Sequence, residues 1–201
     1  MGGIFLGFLC AVGLLALLGR LKARQLPPGW LGLTCWALIA LTGLDGLNAF
    51  LSDGGLPHLY GPSTPLRLLT GLAAGLGLGL MAVPVVAGLV WRMPADEPDI
   101  DDPVELLAGL AGAGLLGALL LVGASPLLWP AALAMLAAVL VAFGTANLYL
   151  LSRLGQPAQA AALPDLAGPL VSSLGLGLVE LAGLSALRTW LVAAYGLTWG
   201  F

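Results

Sequence analysis

Residues 66–91 read LRLLTGLAAGLGLGLMAVPVVAGLVW, and this stretch decides the class of fold. It holds a single charged residue, Arg67, next to its first position. A helix of about 20 mostly apolar residues is long enough to cross the hydrocarbon core of a bilayer. Because no water is available there, the backbone has to satisfy its own hydrogen bonds, as a helix does. The stretch therefore predicts a transmembrane helix.

Five further apolar segments have the same character, and turn-forming residues separate them. The separators include Pro27-Pro28-Gly29, Asp53-Gly54-Gly55 and Ser125-Pro126, and prolines also mark residues 94–103 and 157–164. We expect an all-α membrane protein, a compact bundle of about six transmembrane helices in one domain over residues 1–201. The last helix either runs on into residues 192–201 or breaks before them. The predicted helices are Gly2–Gly19, Trp30–Phe50, Leu66–Trp91, Val104–Gly123, Leu127–Leu151 and Gly168–Trp190.

The composition agrees with a membrane location. Hydrophobic residues make up 60% of the chain and charged residues 8%, and the mean hydropathy is +1.04. A soluble domain carries about 25% charged residues, so we expect the lipid bilayer as the main partner. The net charge of −3 leaves no basic stripe for nucleic acid. His58 is the only histidine and the cysteines are Cys10 and Cys35, so we expect no metal, no cofactor and two buried thiols rather than a disulfide.

The order of charges around the first segment sets the expected orientation. Basic residues follow this apolar run instead of preceding it, which differs from a signal peptide. Cytoplasmic loops carry an excess of Lys and Arg. With the N-terminus outside, Arg20, Lys22, Arg24, Arg92 and Arg153 lie on the cytoplasmic side, and Arg67 and Arg188 lie outside. We therefore expect a multi-pass protein whose N-terminus is outside.

Small residues recur at four-residue spacing in three of the predicted helices. Such strips let helix backbones approach closely, so we interpret them as packing surfaces, with a pore lining or a sliding surface as the alternative. The strips are Gly71, Gly75 and Gly79; Gly109, Ala113 and Gly117; and Ser173 with Gly177. Tryptophans near the predicted ends suggest an aromatic belt; they are Trp30, Trp91, Trp129, Trp190 and Trp199.

Polar residues inside the apolar segments are the main functional signal. An ionisable group at the middle of a membrane helix costs about 2.5–3.5 kcal/mol on insertion scales, so each one calls for an explanation. Thr42, Asp45 and Asn48 are three residues apart and share one face of the second helix. In the expected orientation these groups, the start of the third helix and part of the last helix all lie toward the outer side. Asn147 alone falls at the inner end.

We therefore predict a polar, ligand-binding cluster in the outer half of the bundle, with Asp45 and Arg67 as an ion pair. The alternative is a set of unrelated helix-end residues that snorkel to the interface. For His58, packing of the loop is the simpler interpretation, although a histidine can titrate near neutral pH. The predicted cluster consists of Asp45, Asn48, Arg67, Thr70, Glu180, His58 and Tyr60.

Several of these motifs resemble a bacterial family of predicted membrane proteins, catalogued as domain of unknown function 2085. The matching stretches are Asp45-Gly46-Leu47-Asn48, Pro57-His58-Leu59-Tyr60, Leu66-Arg67-Leu68-Leu69-Thr70-Gly71 and Gly3-Ile4-Phe5-Leu6-Gly7. Glu180 is similar to the family's acidic residue in the last span. The resemblance implies a helical bundle in the bacterial cytoplasmic membrane, and it implies no activity.

The resemblance has one departure. Members of this family commonly carry a segment with Cys and His before the first span, whereas this sequence starts at Met1 directly in the apolar run. Either the start is truncated or this member has lost the segment. No redox or metal role is therefore carried over from those residues.

Three functional hypotheses follow from these observations. The first is a membrane protein that handles a small polar ligand or an ion at the predicted cluster. The second is a structural or accessory protein that packs with other membrane subunits. The third is a membrane-embedded enzyme acting on a lipid-linked substrate, for which Asp45 with His58 is a thin lead. No catalytic residues are assigned, because no nucleophile and base stand in a recognisable arrangement, and a non-enzymatic role is favoured.

Overall fold

The computed structural model describes residues 2–123, 128–154 and 160–195, and this part of the chain is mainly α-helical. The expectation of a helical fold with several membrane-length helices is confirmed. Three predicted features fall outside the described residues: the turn at Ser125-Pro126, Pro157 and Trp199. The helices are α1 (Gly2–Leu17), α2 (Gly29–Asp53), α3 (Thr64–Val90), α4 (Pro103–Val122), α5 (Leu128–Arg153) and α6 (Ala167–Tyr195).

Five of these helices, α2 to α6, are long and apolar enough to cross a membrane. The first helix is apolar but shorter, with 16 residues. Its axial rise is about 24 Å, compared with about 30 Å for the hydrocarbon core of a bilayer. The structure therefore supports a multi-pass membrane protein with at least five candidate spans.

The end of α1 differs from its predicted limit at Gly19, and the backbone explains why. Gly19 has a left-handed φ of 73°. The amide of Arg20 donates to the carbonyl of Leu15 at 2.8 Å, and the amide of Gly19 donates to the carbonyl of Ala16 at 3.2 Å. These two bonds form a Schellman motif, which ends a helix.

At the other extreme, α6 runs to Tyr195, five residues beyond the predicted limit at Trp190. No glycine or proline stands between these two positions, so nothing in the sequence breaks the helix there. Residues 196–201 lie outside the described residues.

The central element of the bundle is α3, which contacts α1, α2, α4 and α5, whereas α6 packs against α5. Thr42 of α2 lies beside Thr70 near the start of α3. Cys35, earlier in α2, lies beside Gly77, later in α3. These two helices are therefore antiparallel.

Small residues bring α1 and α3 together in a parallel pair. Gly3, at the start of α1, lies beside Gly71, about two turns into α3. A Cβ atom at Gly75 would overlap the carbonyl oxygen of Ile4, and one at Gly7 would overlap the backbone of α3. The packing interpretation of this glycine strip is confirmed. The close approach of the two backbones places α1 in the core of the bundle.

The connections between helices form a small parallel sheet at one end of the bundle. Its strands are β1 (Ala23–Gln25) and β2 (Ala95–Pro98), in the α1–α2 and α3–α4 connections. The amide of Ala95 donates to the carbonyl of Lys22 at 2.8 Å. Ala160, in the α5–α6 connection, donates to the carbonyl of Val90 at 2.9 Å. We call this the strand end, and the opposite end, with the α2–α3 loop, the pocket end.

Candidate functional site

The centre of the pocket end is the carboxylate of Asp45. This residue lies on α2 about two turns before the helix ends, and only 4% of it is exposed. The hydroxyl of Tyr60 donates to its Oδ1 at 2.5 Å. The hydroxyl of Thr70, on α3, lies 3.3 Å from its Oδ2. A buried carboxylate is thus held by groups from a helix and a loop.

Asn48, one turn further along α2, fixes the loop that carries Tyr60. Its Oδ1 accepts from the amides of Leu59 at 2.7 Å and of Tyr60 at 3.3 Å. Its Nδ2 donates to the carbonyl of Tyr60 at 2.9 Å. The amide side chain therefore pairs with the backbone much as a neighbouring strand would. This positions the phenol of Tyr60 over Asp45.

Thr70 has more acceptors within reach than it has hydrogens to donate. Besides Asp45 Oδ2, its hydroxyl lies 3.0 Å from the carbonyl of Leu66 and 3.4 Å from that of Arg67. A threonine hydroxyl has one hydrogen, and the carbonyl of Leu66 is the nearest of the three acceptors. Asp45 Oδ2 therefore keeps acceptor capacity for another donor.

A pocket of about 570 Å³ opens beside this carboxylate. Its wall is mostly apolar, and its leucines are Leu41, Leu44, Leu47, Leu51, Leu59 and Leu66. Asp45, Asn48, Tyr60, Thr70 and His58 also line it. A volume of about 300–1,000 Å³ with few polar groups is typical of small-molecule sites.

The loop side chains of the predicted cluster have distinct surroundings. His58 is exposed, and its Nδ1 lies 3.1 Å from the carbonyl of Leu56. The hydrogen bond to Asp45 raises the pKa of the Tyr60 phenol, and the positive charge of Arg67 opposes this rise. Both side chains border the pocket from the loop side.

Arg67 does not form the expected ion pair with Asp45. Its side chain is exposed, and the three ion pairs among the described residues all involve Arg20 or Arg24. The polar contacts of Asp45 come instead from two neutral hydroxyl groups, those of Tyr60 and Thr70. Unlike a guanidinium, a neutral hydroxyl donor can stabilise Asp45 without a second charge losing its hydration inside the bundle.

Glu180 also lies apart from Asp45. Asn147, on α5, donates through Nδ2 to Glu180 at 3.1 Å and to the carbonyl of Ser173 at 3.2 Å. The neighbouring residue Leu148 packs near the C-terminal end of α3, far from Thr70. Because α6 packs against α5, Glu180 meets a polar partner on that helix. The expected single cluster is corrected to two separate polar contacts.

The strand end holds a charged network that the sequence pattern did not predict. Arg20 donates to Glu105 at 2.9 Å and to Asp101 at 3.1 Å. Arg24 pairs with Asp96 at 3.0 Å, which lowers the pKa of that carboxyl. The signal that could have revealed this network is the opposite sign of two connections, basic at residues 20–24 and acidic at 96–105. Basic residues expected only to mark the cytoplasmic side thus also bind the acidic connection.

Trp91 belongs to this strand end instead of an aromatic belt. It is 7% exposed, and its indole N–H donates to the carbonyl of Leu21 at 3.1 Å. The ammonium of Lys22 lies 4.6 Å from the centre of its ring. Trp30, which is 57% exposed, remains compatible with the belt. The indole of Trp91 therefore ties the first connection to the end of α3.

Asp99, which directly follows β2, is fully buried. Its Oδ1 accepts from the amide of Ile100 at 2.9 Å, whereas its Oδ2 has no hydrogen-bond partner. Burial raises the pKa of its carboxyl to about 7. The charge of Arg20 favours the ionised form and that of Glu105 opposes it. Asp99 therefore keeps its proton up to a much higher pH than an ordinary aspartate does.

In the described part of the chain, no three His, Cys, Asp or Glu side chains are grouped to hold a metal ion. The two thiols are free, Cys35 being buried and Cys10 half-buried. The chain matches no protein-family model, no curated protein and no solved structure. The resemblance to the family of unknown function therefore stays a prediction that rests on the quoted motifs.

Proposed function

We propose that this chain is a six-span protein of the bacterial cytoplasmic membrane that binds a small ligand in the pocket beside Asp45. The observation that carries the proposal is a buried carboxylate with unused acceptor capacity, set in a largely apolar pocket. Buried ionisable groups in membrane helices are costly and mark functional sites. The family resemblance is part of the same proposal.

The sixth span in this proposal is α1. Its first turn, at Gly3, lies beside Gly71, about two turns into α3, and Leu15 near its end packs with Leu80 and Val83. The helix thus follows most of the length of a candidate span. Successive helices in the proposed bundle run in opposite directions. Although α1 is short, the helix and the Schellman turn that follows it would together extend from the pocket end to the strand end.

The proposed orientation places the strand end in the cytoplasm. The connections at this end carry Arg20, Lys22, Arg24, Arg92 and Arg153, five of the seven basic residues. Arg67 belongs to the pocket end. Basic residues are enriched on the cytoplasmic side, so the pocket end would face outward.

Ligand binding accounts for the pocket better than a packing role does. Glu180 is half-buried and accepts from Asn147 on the neighbouring helix, and it does not line the pocket. Asp45 instead borders an open volume large enough for a small molecule. Its partner Tyr60 stands on a loop that Asn48 holds in place. The site is therefore organised before a ligand arrives, which lowers the entropic cost of binding.

The proposal is tested by recovering the ligand from the protein. The wild type, Leu44→Trp and Leu115→Trp would be purified in lipid nanodiscs, and the bound small molecules extracted and compared by mass spectrometry. Both leucines are exposed on apolar helices, at 61% and 63%, but only Leu44 lines the pocket. An indole at position 44 occupies part of the pocket volume, whereas one at 115 faces away from it.

We expect a small molecule that is retained by the wild type and by Leu115→Trp and depleted in Leu44→Trp. Asp45→Asn should lower its recovery as well. Equal recovery from all four proteins, or recovery of nothing beyond bulk lipid, would contradict ligand binding in this pocket. It would instead favour the structural role.

A further inference from the structure

We propose that the pocket selects a protonated hydrophobic amine, with the ammonium group against Asp45 and the apolar body along the leucine wall. This inference rests on the proposed function, because it names the chemical class of ligand for the same site. It follows from the hydrogen-bonding capacity, the charge and the access of the pocket.

The hydrogen-bonding capacity requires a donor. An ionised carboxylate only accepts hydrogen bonds. Asp45 Oδ1 is engaged by Tyr60 at 2.5 Å, but Oδ2 shares its nearest donor, Thr70, with a closer backbone carbonyl. A ligand group that donates to Oδ2 completes the set. An ester, a ketone or a carboxylate cannot do so, whereas an ammonium or a hydroxyl can.

The charge of the lining separates the ammonium from the hydroxyl. Among the described residues, Asp45 is the only acidic side chain that borders the pocket, and no lysine or arginine borders it. Arg67, near the start of α3, is exposed and outside the lining. A cation therefore meets the negative charge of a carboxylate that is only 4% exposed, where electrostatic attraction is stronger than in bulk water. A neutral hydroxyl would leave that charge uncompensated.

The access of the pocket explains the apolar body. Leu41, Leu44 and Leu47 border the pocket, and each is more than half exposed, at 55%, 61% and 54%. On a membrane helix, exposed leucines face lipid. A molecule dissolved in the bilayer would therefore reach Asp45 along these side chains. Amphipathic amines partition into the bilayer with the charged group near the interface, at the depth where α2 ends.

The test uses three fluorescent probes that share a dansyl-labelled alkyl chain and differ in the head group: primary ammonium, hydroxyl and carboxylate. Binding to the wild type would be measured in nanodiscs of zwitterionic lipid. Signal from Leu44→Trp nanodiscs is subtracted as partition into lipid. Asp45→Asn removes the charge at the site, and Asp53→Asn is the matched control, because Asp53 is an exposed acid at the end of the same helix.

We expect the ammonium probe to bind the wild type about 10- to 100-fold more tightly than the hydroxyl probe, as for hydrogen bonds to charged groups. The carboxylate probe should bind most weakly. Asp45→Asn should abolish the preference for ammonium while the hydroxyl probe still binds, and Asp53→Asn should leave the preference within about twofold.

Two failures are distinguishable. If the probes saturate the pocket but the ammonium and hydroxyl probes bind equally, or the carboxylate probe binds best, the amine inference is overturned and the pocket proposal stands. If no probe gives binding that Leu44→Trp removes, both are overturned. The ranking of head groups on the wild type decides the matter even if Asp45→Asn does not fold.

Discussion

Replacing Asp99 with asparagine should remove a pH dependence from the strand end. In the folded chain this carboxyl is fully buried, its Oδ2 is unpaired, and its pKa is raised from 3.8 to about 7. The charge of Arg20 lowers the pKa of Asp99 and that of Glu105 raises it. Cys35 lies close enough for its thiol to interact with the charge of Asp99. Few hydrogen bonds hold β1 and β2 together, so the ionisation of this one carboxyl should have a measurable effect on the stability of the strand end.

The sign follows from proton linkage. A folded pKa above the unfolded one means that the folded state binds the proton more tightly, so stability falls as pH rises. The protonated carboxyl gives its full contribution below about pH 4, and the contribution is lost as pH passes through about 7. The difference of about 3 pH units corresponds to at most about 4 kcal/mol, at 1.36 kcal/mol per unit.

Asparagine is neutral at every pH and can keep the bond from the amide of Ile100 through its oxygen. Its buried NH₂ group, left without an acceptor, costs about 1–3 kcal/mol. The variant should therefore be less stable than the wild type below about pH 4, by up to that amount. At pH 8 it should be more stable, by about 1–3 kcal/mol, because the wild type there carries an ionised and unpaired group.

Hydrogen exchange measured by mass spectrometry provides the assay, with peptides covering residues 20–25 and 95–101. The relevant amides include Ala95, which donates to Lys22 at 2.8 Å, and Asp99, which donates to Gln25 at 3.2 Å. After correction for intrinsic exchange rates, wild-type protection should fall between pH 5 and pH 8 while that of Asp99→Asn stays level. Equal wild-type protection at the two pH values would refute the reasoning.

Three other substitutions test the packing and the pocket by thermal unfolding in nanodiscs. Gly75→Ala should destabilise the bundle by about 1–3 kcal/mol because the added methyl overlaps the backbone of α1. Gly112→Ala is the control, because the position of its Cβ is open space, and it should change stability by less than about 0.5 kcal/mol. Similar effects of the two substitutions would contradict the packing argument. Tyr60→Phe should cost about 1.5–3 kcal/mol by removing the hydroxyl donor to a buried carboxylate, and an unchanged transition would show that this bond is not formed. Glu180→Gln should stay within about 0.6 kcal/mol because it keeps an acceptor for Asn147, and a larger loss would mean that the charge of Glu180 itself matters.

The six helices could be predicted because the signal for each lies within the segment itself. A long apolar run predicts a membrane helix whatever it packs against. The limits of these helices required local backbone geometry. Gly19 ends α1 through its left-handed conformation, whereas α6 continues past Trp190 because no residue there stops it.

Part of the pocket lining was also predictable, because several of its residues lie close together along the chain. Asp45 and Asn48 share a face of α2 at a spacing of three, and the motif before α3 brings Tyr60 and Thr70 close along the chain. Glu180 was misplaced because its position depends on which helices are neighbours. An apolar helix packs equally well against many others, and nothing in the sequence of α6 specifies α5 as its neighbour.

The two buried aspartates show why the pocket end, and not the strand end, is the site to test for a ligand. Both have an oxygen with acceptor capacity to spare. Asp99 follows β2 and has no exposed surface, so a proton is the one partner that can reach it without opening the fold. Asp45 borders a volume that a small molecule can enter, and its remaining contacts are hydroxyls that carry no compensating charge. Unused acceptor capacity becomes a binding site only where a donor has access, and in the described structure that condition holds at Asp45.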